Sequence, residues 1–329
     1  MAIVDELQAG WYADRQPPLW ALPIAALYGG VVRARRGLYR HGVLRAQRVP
    51  VPVIVVGNIV AGGAGKTPLT LALVQALHER GWRPGVVSRG YGGSARAPML
   101  LPPQPDPAVA GDEPALLRVR SGLPVAVGAA RTAAARLLLA EGVDVIVADD
   151  GLQHYALARD VEVCVIDGAR RCGNGRLLPA GPLREPATRL RDVDFVVCNG
   201  GNTRGHEIPM RLELAAAVAL GDPGRSTPLA AFLGQRVHAV AGIGNPRRFF
   251  DALRGQGIEV VEHAYPDHHR YLPADLAFGD ERPVLMTEKD AIKCGAFAQP
   301  GWWSVPVAAV LPDAFFDAVS ARLRALRPV

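Results

Sequence analysis

The stretch VPVIVVGNIVAGGAGKTP, residues 51 to 68, decides how this chain folds. Its first seven residues are apolar and rich in valine, which predicts a strand buried on both faces of a sheet. A glycine-rich turn follows, and the apolar residues between Leu69 and Leu77 have helical spacing. A strand, a glycine-rich turn and a helix in this order form the setting in which many proteins bind phosphate groups.

The turn departs from the phosphate-binding pattern G-x-x-x-x-G-K-[ST] at one position, because Val60 stands where the pattern has its first glycine. Glycines near Lys66 still allow backbone N–H groups to turn toward phosphate oxygens, and the helix N-terminus adds a favourable dipole. We therefore predict a nucleotide site in which Lys66 contacts the β- and γ-phosphates and Thr67 binds Mg²⁺. The residues of this predicted site are Gly62, Gly63, Ala64, Gly65, Lys66, Thr67 and Pro68.

Beyond this stretch, short apolar runs alternate with helical segments, which predicts an α/β fold with a mostly parallel sheet flanked by helices, as in P-loop NTPases. A turn-rich passage near residues 200 to 235 precedes a second, smaller α/β unit. We expect an N-terminal helical segment (1–48), a P-loop nucleotide-binding domain (49–220) and a C-terminal α/β domain (221–329). Further strands are predicted at 85–90, 124–128, 143–150, 161–168 and 193–200.

Composition agrees with a folded protein, since 49% of the 329 residues are hydrophobic and 21% are charged. The four cysteines are widely spaced and form no C-x-x-C pair, which argues against a disulfide framework and against a structural zinc site. Reduced thiols in the cytosol fit this pattern best.

Two adjacent acids, Asp149 and Asp150, end the predicted strand VDVIVADD. Magnesium beside a phosphate loop needs a carboxylate, and the end of a buried strand is its usual position. The alternative is a pair of turn or helix-capping carboxylates. His154 follows closely, but an imidazole beside two carboxylates would suit zinc or iron better than Mg²⁺, and we disfavour a transition metal.

The N-terminal region is basic and apolar. Residues 15 to 48 contain seven arginines and no acid, and residues 17 to 32 contain no charged side chain. Such a block favours phosphate, whether on a nucleic acid, a membrane or a substrate. The apolar run is barely long enough to span a bilayer, so we predict an interfacial helix with Trp11, Trp20 and Tyr28 at headgroup depth. A helix packed against the first domain is the alternative.

A nucleotide site alone leaves a small-molecule kinase, a switch or motor NTPase and a partner-positioning ATPase open. No N-K-x-D segment is present to read guanine. The segments GNIVAGGAGKTP (57–68), SRGYGG (88–93), GDEP (111–114), DDGLQH (149–154) and GRLLPAGPLREP (175–186) together resemble the tetraacyldisaccharide 4'-kinase family. PDHHRY (266–271) and TEKDAIK (287–293) resemble it too.

This resemblance implies ATP- and Mg²⁺-dependent phosphorylation of the 4'-hydroxyl of a tetraacyl glucosamine disaccharide 1-phosphate in lipid A biosynthesis. It implies a peripheral or monotopic enzyme at the cytoplasmic face of the inner membrane, whose partners are that membrane surface and an anionic glycolipid and not a nucleic acid. Family members carry the same offset loop, so Val60 is not a defect. The resemblance also implies that 1–48 contacts the membrane, that 49–220 is the kinase domain and that 221–329 contributes to the active-site cleft. A membrane-associated ATPase that switches a protein partner is the alternative function.

An acid that follows a glycine turn can face the phosphate loop, which makes Asp112 a candidate base. The resemblance supports this role and pairs Asp112 with His268. Asp112 could instead cap the next helix, and His269 could be the histidine that is used. Candidates for the acceptor or nucleotide pocket are Arg89, Gln153, His154, Arg170, Arg171, Arg176 and Arg184, and Glu185 is a further candidate for the metal. Lys289 and Asp290 either bridge the two domains or only begin a helix.

Overall fold

The computed structural model describes residues 10–13 and 16–326 of the chain. The N-terminal segment expected at 1–48 therefore lies partly outside the described residues. Two sheets organise the fold. We call the part built on the nine-stranded sheet the large unit, and the part built on the six-stranded sheet the small unit.

The large unit begins with helix α1 (Ala21–Arg40) and continues through eight strands and four more helices. Its strands are β1 (Val53–Gly57), β2 (Pro84–Ser88), β3 (Met99–Leu100), β4 (Val125–Val127), β5 (Val145–Ala148), β6 (Val161–Asp167), β7 (Phe195–Asn199) and β8 (Ile208–Leu214). Its helices are α2 (Lys66–Glu79), α3 (Pro107–Ala110), α4 (Asp112–Ser121) and α5 (Arg131–Leu139).

The small unit contains strands β9 (Ala217–Ala219), β10 (Asp222–Thr227), β11 (Arg236–Ala241), β12 (Glu259–Ala264), β13 (Val284–Thr287) and β14 (Trp302–Val305). Its helices are α6 (Pro246–Gly255) and α7 (Glu288–Cys294). Short 3₁₀ turns lie at Leu229–Phe232, Pro273–Leu276 and Gly295–Phe297 of this unit, and at Ala187–Arg191 between β6 and β7 of the large unit. Strands β12, β11, β13 and β14 are parallel, and the sheet is completed by antiparallel β9 and β10.

The chain then returns to the large unit. Strand β15 (Val307–Val310) pairs antiparallel with β8, and helix α8 (Asp313–Ala325) packs into the core of the large unit through Phe315 and Leu323. The domain expectation assigned all of 221–329 to the C-terminal unit, whereas residues 307–325 pack with the first sheet. The cause is long-range pairing along the free edge of β8, which leaves no local mark in the sequence.

The strand order of the large sheet is β15-β8-β7-β6-β1-β5-β2-β4-β3, and the pairs from β8 to β4 are parallel. Strands β6, β1, β5, β2 and β4 of this parallel core are mostly buried and apolar, because helices cover both faces of the sheet there. All of them end at one edge, so the loop after β1, the acids after β5 and Asn199 of β7 meet there. The predicted α/β class with a smaller second unit and an N-terminal helix is confirmed.

Candidate active site

The loop between β1 and α2 has the backbone shape that its glycines predict. Gly62 and Gly65 have φ values of 103° and 95°, in the left-handed region that side chains rarely adopt. A Cβ atom on Gly65 would lie 2.6 Å from Nδ2 of Asn199, which donates a hydrogen bond to the carbonyl oxygen of Ala64 (2.9 Å). The end of β7 therefore holds the loop just before Lys66, and only glycine fits at position 65.

Val60 occupies the position of the missing glycine because the entrance of the loop is a strand pairing. It forms an antiparallel bridge with Leu183, and its side chain is buried in a core cluster. On either side of the bridge, Ala61 N donates to Pro182 O (2.8 Å) and Arg184 N donates to Ile59 O (2.7 Å). The segment GRLLPAGPLREP is thus attached to the loop, and a valine at position 60 contributes to the packing.

Lys66 is the first residue of α2, with Thr67 and Pro68 next to it in the first turn. Its Nζ lies 3.5 Å from Oδ1 of Asp150 and 3.5 Å from Oδ1 of Asn58. Asn58 is fully buried and donates to the carbonyl oxygen of Gly62 (3.3 Å). Lys66 therefore contacts Asp150 after β5 directly and the loop backbone through Asn58.

Asp149 is almost completely buried, and its two carboxylate oxygens differ. Oδ1 accepts a hydrogen bond from Thr70 Oγ1 (2.9 Å), whereas Oδ2 has no hydrogen-bond partner among the described residues. Burial, followed by the negative charges of Glu113 and Asp150, raises the pKa of Asp149 to about 7. A buried carboxylate oxygen without a partner beside a phosphate loop is a suitable ligand for a hard cation.

Asp150 has the opposite electrostatic setting. Burial alone would raise its pKa, but Lys66, Arg184 and Arg131 outweigh burial and lower it. Arg184 Nη1 lies 3.3 Å from Oδ2 of Asp150. Within residues 10–13 and 16–326, no three His, Cys, Asp or Glu side chains are grouped to hold a metal. A metal bound here would therefore need hydroxyl, phosphate or water oxygens among its ligands.

Glu185 is buried, and both of its carboxylate oxygens have protein partners. The hydroxyl of Tyr155 donates to Oε1, and Nε2 of Gln153 donates to Oε2 (3.2 Å). Gln153 Nε2 also donates to the carbonyl oxygen of Asn58 (3.0 Å), just before the phosphate loop. These contacts make Glu185 an anchor for Gln153 and Tyr155.

A group of arginines surrounds His154. Burial, and then the positive charge of Arg131, lowers the pKa of His154 to about 4, and three further guanidinium groups contribute. Arg131 is the first residue of α5, is 5% exposed, and its Nε has no hydrogen-bond partner in the described chain. The other contributors are Arg159, Arg35 of α1 and Arg89 after β2. Such a concentration of positive charge suits an anionic ligand.

Sequence reasoning missed Arg131. A signal was present, because an arginine in the first turn of a helix that follows a parallel strand lies at the same edge of the sheet as the phosphate loop.

The predicted arginines have other partners or are exposed. Arg171 makes a bidentate pair with Glu207 (2.9 and 2.8 Å), and Arg170 lies over the ring of Tyr12. Arg176 is exposed.

Asp112 and His268, which are 156 positions apart in the sequence, meet across the two units. His268 Nδ1 donates to Oδ2 of Asp112 at 3.0 Å. The SRGYGG loop packs beside them, with the ring of Tyr91 5.4 Å from that of His268. The helix-cap alternative for Asp112 does not hold, because Gly111 is the cap residue of α4 and Asp112 turns to the histidine. The neighbouring His269 contacts Asp275 instead (3.2 Å).

The N-terminal helix packs on the segment that is attached to the phosphate loop. Ala21 and Ala25 contact Ala180, and the hydroxyl of Tyr28 donates to the carbonyl oxygen of Arg184 (3.0 Å). Trp11 is buried and donates to Pro179 O (3.0 Å). Placing Trp11 at headgroup depth was therefore wrong, since its side chain is buried in the protein. Tyr28 is partly buried and Trp20 is half exposed, and for these two side chains the placement stays a prediction.

Known proteins resemble this chain over nearly its whole length. A family model described as LpxK, tetraacyldisaccharide-1-P 4'-kinase, matches residues 18–324. The tetraacyldisaccharide 4'-kinase of Stenotrophomonas maltophilia (strain R551-3) is 52% identical, with 97% of this chain and 96% of that protein covered. The enzyme of the same name from Xanthomonas euvesicatoria pv. vesicatoria (strain 85-10) is 53% identical, with 96% and 95% covered.

A solved structure is similar in fold as well. The crystal structure of LpxK from Aquifex aeolicus in complex with ATP has a TM-score of 0.79 to this chain at 28% identity, covering 92% of this chain and 98% of that one. The match to the family model takes in both units and all of the segments described above. The chain therefore belongs to the tetraacyldisaccharide 4'-kinase family.

Proposed function

We propose that this kinase transfers the γ-phosphoryl group of ATP to the 4'-hydroxyl of a tetraacyl glucosamine disaccharide 1-phosphate, with Asp112 accepting the hydroxyl proton. The observation that carries the residue assignment is the 3.0 Å contact between Asp112 Oδ2 and His268 Nδ1 beside the SRGYGG loop. Phosphoryl transfer asks a protein mainly to align the reacting oxygens and to neutralise charge. The site has a separate set of residues for each task.

The donor site is the loop from Gly62 to Thr67. Its backbone N–H groups and the N-terminus of α2 would bind the phosphates, and Lys66 would move from Asp150 to the β- and γ-phosphate oxygens. The Aquifex aeolicus relative is described in complex with ATP, which supports ATP as the donor.

Magnesium fits the residues beside this loop. The hydroxyl of Thr67 and a carboxylate oxygen of Asp149 or Asp150 would hold it, and the partnerless Oδ2 of Asp149 is the best-suited protein ligand. When bound, the ion would neutralise charge on the phosphate groups. Glu185 would act indirectly by holding Gln153 and Tyr155 in place, because its oxygens already accept hydrogen bonds from these two side chains.

The acceptor would lie against the arginines around His154. Arg89 and Arg131 would bind an anionic group of the substrate or of the nucleotide, and Gln153 and His154 would line the same pocket. His154 would be neutral near pH 7 in the absence of a ligand, given its pKa of about 4, and it would then contact the sugar without adding charge. Arg170, Arg171 and Arg176 would lie farther from the reacting groups. Arg171 would keep its ion pair with Glu207 instead of binding substrate.

The acceptor proton would move to Asp112. Its Oδ1 receives no hydrogen bond from any residue in the described ranges, whereas Oδ2 is held by His268. We propose that Oδ1 takes the proton of the 4'-hydroxyl as the phosphoryl group is transferred, and that His268 fixes the carboxylate in the required orientation.

The outer face of α1 would meet the membrane. Small residues of the helix face the protein, whereas Trp20, Ile24, Leu27 and Val31 are between 48% and 72% exposed. Among the described residues, α1 and the other helices fall short of the length or the hydropathy that a transmembrane helix needs. We propose that α1 lies in the interface at the cytoplasmic face of the inner membrane, where its arginines reach lipid phosphates and the glycolipid enters.

The test is transfer of labelled γ-phosphate from ATP to a tetraacyl disaccharide 1-phosphate in mixed micelles, with Mg²⁺ and with chelator. We expect Mg²⁺-dependent label at the 4' position.

Asp112→Asn should lower kcat by about 10²–10⁴-fold with little change in the affinity for ATP. Lys66→Ala should lower both kcat and the affinity for ATP. Asp106→Asn is the matched control, because Asp106 only caps α3 from the surface.

Near wild-type turnover by Asp112→Asn would remove Asp112 as the base. ATP hydrolysis without labelled lipid, stimulated by a protein partner, would favour the switch-type ATPase instead.

A further inference from the structure

Lys293 of α7 reaches from the small unit to Asp112 of the large unit. Its side chain is 9% exposed, and its Nζ lies 3.7 Å from Oδ2 of Asp112 and 3.0 Å from Oδ1 of Asp290. A lysine is rarely buried unless its charge is matched, and here two carboxylates face it. One of the two is the proposed base.

The small unit fixes the position of this ammonium group. Asp290 is completely buried and accepts hydrogen bonds from Gly242 N (2.8 Å) and from Thr287 Oγ1 (2.5 Å). The ring of Tyr271 lies 5.0 Å from Nζ of Lys293, within the range of a cation–π contact. Lys293 is therefore kept near Asp112 by burial and by charge, since its Nζ makes no hydrogen bond with the described residues.

Two side chains of the small unit thus approach Oδ2 of Asp112. His268 donates a hydrogen bond to it, and Lys293 places a positive charge beside it. Other ion pairs join the same helices without reaching Asp112. Arg120 of α4 pairs with Glu288 of α7, and Lys289 Nζ lies 3.6 Å from Glu113. The alternative role for Lys293 is to neutralise Asp290 only, and this would not require its approach to Asp112.

We propose that Lys293 is a positioning residue for the base: together with His268 it holds Oδ2 of Asp112, so that Oδ1 faces the acceptor hydroxyl only when the small unit is docked on α4. This inference rests on the proposed role of Asp112. Lys293 acts through that carboxylate and does not touch the substrate. A point charge on a flexible stem is suited to this task, because it contacts one oxygen and leaves the other free.

The test is a double-mutant cycle between Lys293 and Asp112, measured with the labelled-lipid assay over times long enough to quantify slow variants. We expect Lys293→Met to lower kcat by about 10–100-fold with KM for ATP nearly unchanged, since a misplaced base affects the chemical step. In an Asp112→Asn background, the same substitution should have almost no further effect on kcat. Lys293→Arg should restore part of the activity, because it returns the charge.

Two controls separate positioning from folding. Lys293→Met leaves the charge of Asp290 buried without its partner, so Lys293→Met/Asp290→Asn keeps the charge balanced and should melt close to the wild type while it stays slow. Arg120→Met removes a cation between the same helices and should lower kcat far less.

An equal fall in kcat in both backgrounds, or wild-type turnover by the folded charge-balanced variant, would overturn the positioning role and leave Asp112 as the base. Near wild-type turnover by Asp112→Asn alone would overturn the base assignment, and the inference with it.

Discussion

Asp149 is a residue at which the proposed metal-binding role and the stability of the fold would oppose each other. Its carboxylate is buried, one oxygen has no partner in the described chain, and its pKa is raised from 3.8 to about 7. The folded state therefore binds more protons than the unfolded state between these two pH values. Stability of the ligand-free protein must fall as the pH rises through this window, because Asp149 then becomes a buried charge.

We expect Asp149→Asn to raise the melting temperature of the ligand-free protein by several degrees at pH 8 and by much less at pH 5, where the wild-type carboxyl is already neutral. Kinase turnover should fall at both pH values. The measurement is thermal unfolding in the absence of nucleotide and Mg²⁺. Asp160→Asn is the control and should lower stability at pH 8, since Asp160 accepts hydrogen bonds from Val53 N and Arg48. A loss of stability in Asp149→Asn at pH 8 would contradict the argument.

Helix α1 has its large apolar side chains on the outside. Ala21, Ala25 and Gly29 face the protein, and a Cβ atom on Gly29 would lie 2.6 Å from the side chain of Leu177. Close packing of small residues leaves Ile24, Leu27 and Val31 on the opposite face. One face of the segment packs on the large unit, as the core-helix alternative predicts, and the other face is exposed among the described residues. Contact of that exposed face with a membrane stays a prediction.

Replacing Ile24, Leu27 and Val31 with glutamine should weaken co-sedimentation with anionic phospholipid vesicles by about tenfold or more, since each buried aliphatic side chain contributes roughly 1.5–3 kcal/mol. Folding should be retained, because these side chains are exposed. The matched control replaces Val119, Leu137 and Leu233 with glutamine, because these three side chains are exposed elsewhere on the surface. Equal vesicle binding by the two triple variants would remove α1 as the membrane contact.

The two units are interleaved in sequence, because the chain enters the small unit after β8 and returns to the large unit at β15. Helix α8 packs near α2, the helix that begins at Lys66, and the ring of Phe315 lies 5.5 Å from that of Phe195 in β7. A connection at both ends limits how the small unit can move when it brings His268 and Lys293 to Asp112. Hinge motion, as in many kinases, would have to use both connections.

Phe315→Ala should reduce the stability of the large unit by about 3–5 kcal/mol, the usual effect of removing a buried aromatic ring. Hydrogen exchange is the measurement, and we expect faster exchange at the amides of α2 and β7. Phe250→Ala is the matched control, since Phe250 is fully buried in the core of the small unit. It should speed exchange in β11 and β12. Faster exchange confined to the small unit in Phe315→Ala would contradict the packing.

Much of the fold was predictable because its signals are local. The runs at 53–57, 145–148 and 161–167 are strands within a few residues of their predicted bounds, since valine-rich segments of this length suit a sheet covered on both faces. The return of residues 307–325 to the first sheet was not predictable. VAAV is too short a run to reveal its partner, and an edge strand is chosen by the free hydrogen bonds of β8.

The sequence by itself determined the phosphate loop, the acids after β5 and the family, because these depend on residue types at short, ordered spacings. Only the tertiary structure decided that Val60 is a bridge to Leu183, that Arg131 joins the group around His154, and that His268 and Lys293 share one oxygen of Asp112. Each of these contacts joins segments far apart in the chain. Their distances follow from how helices and sheets pack, and no local pattern of residues contains that information.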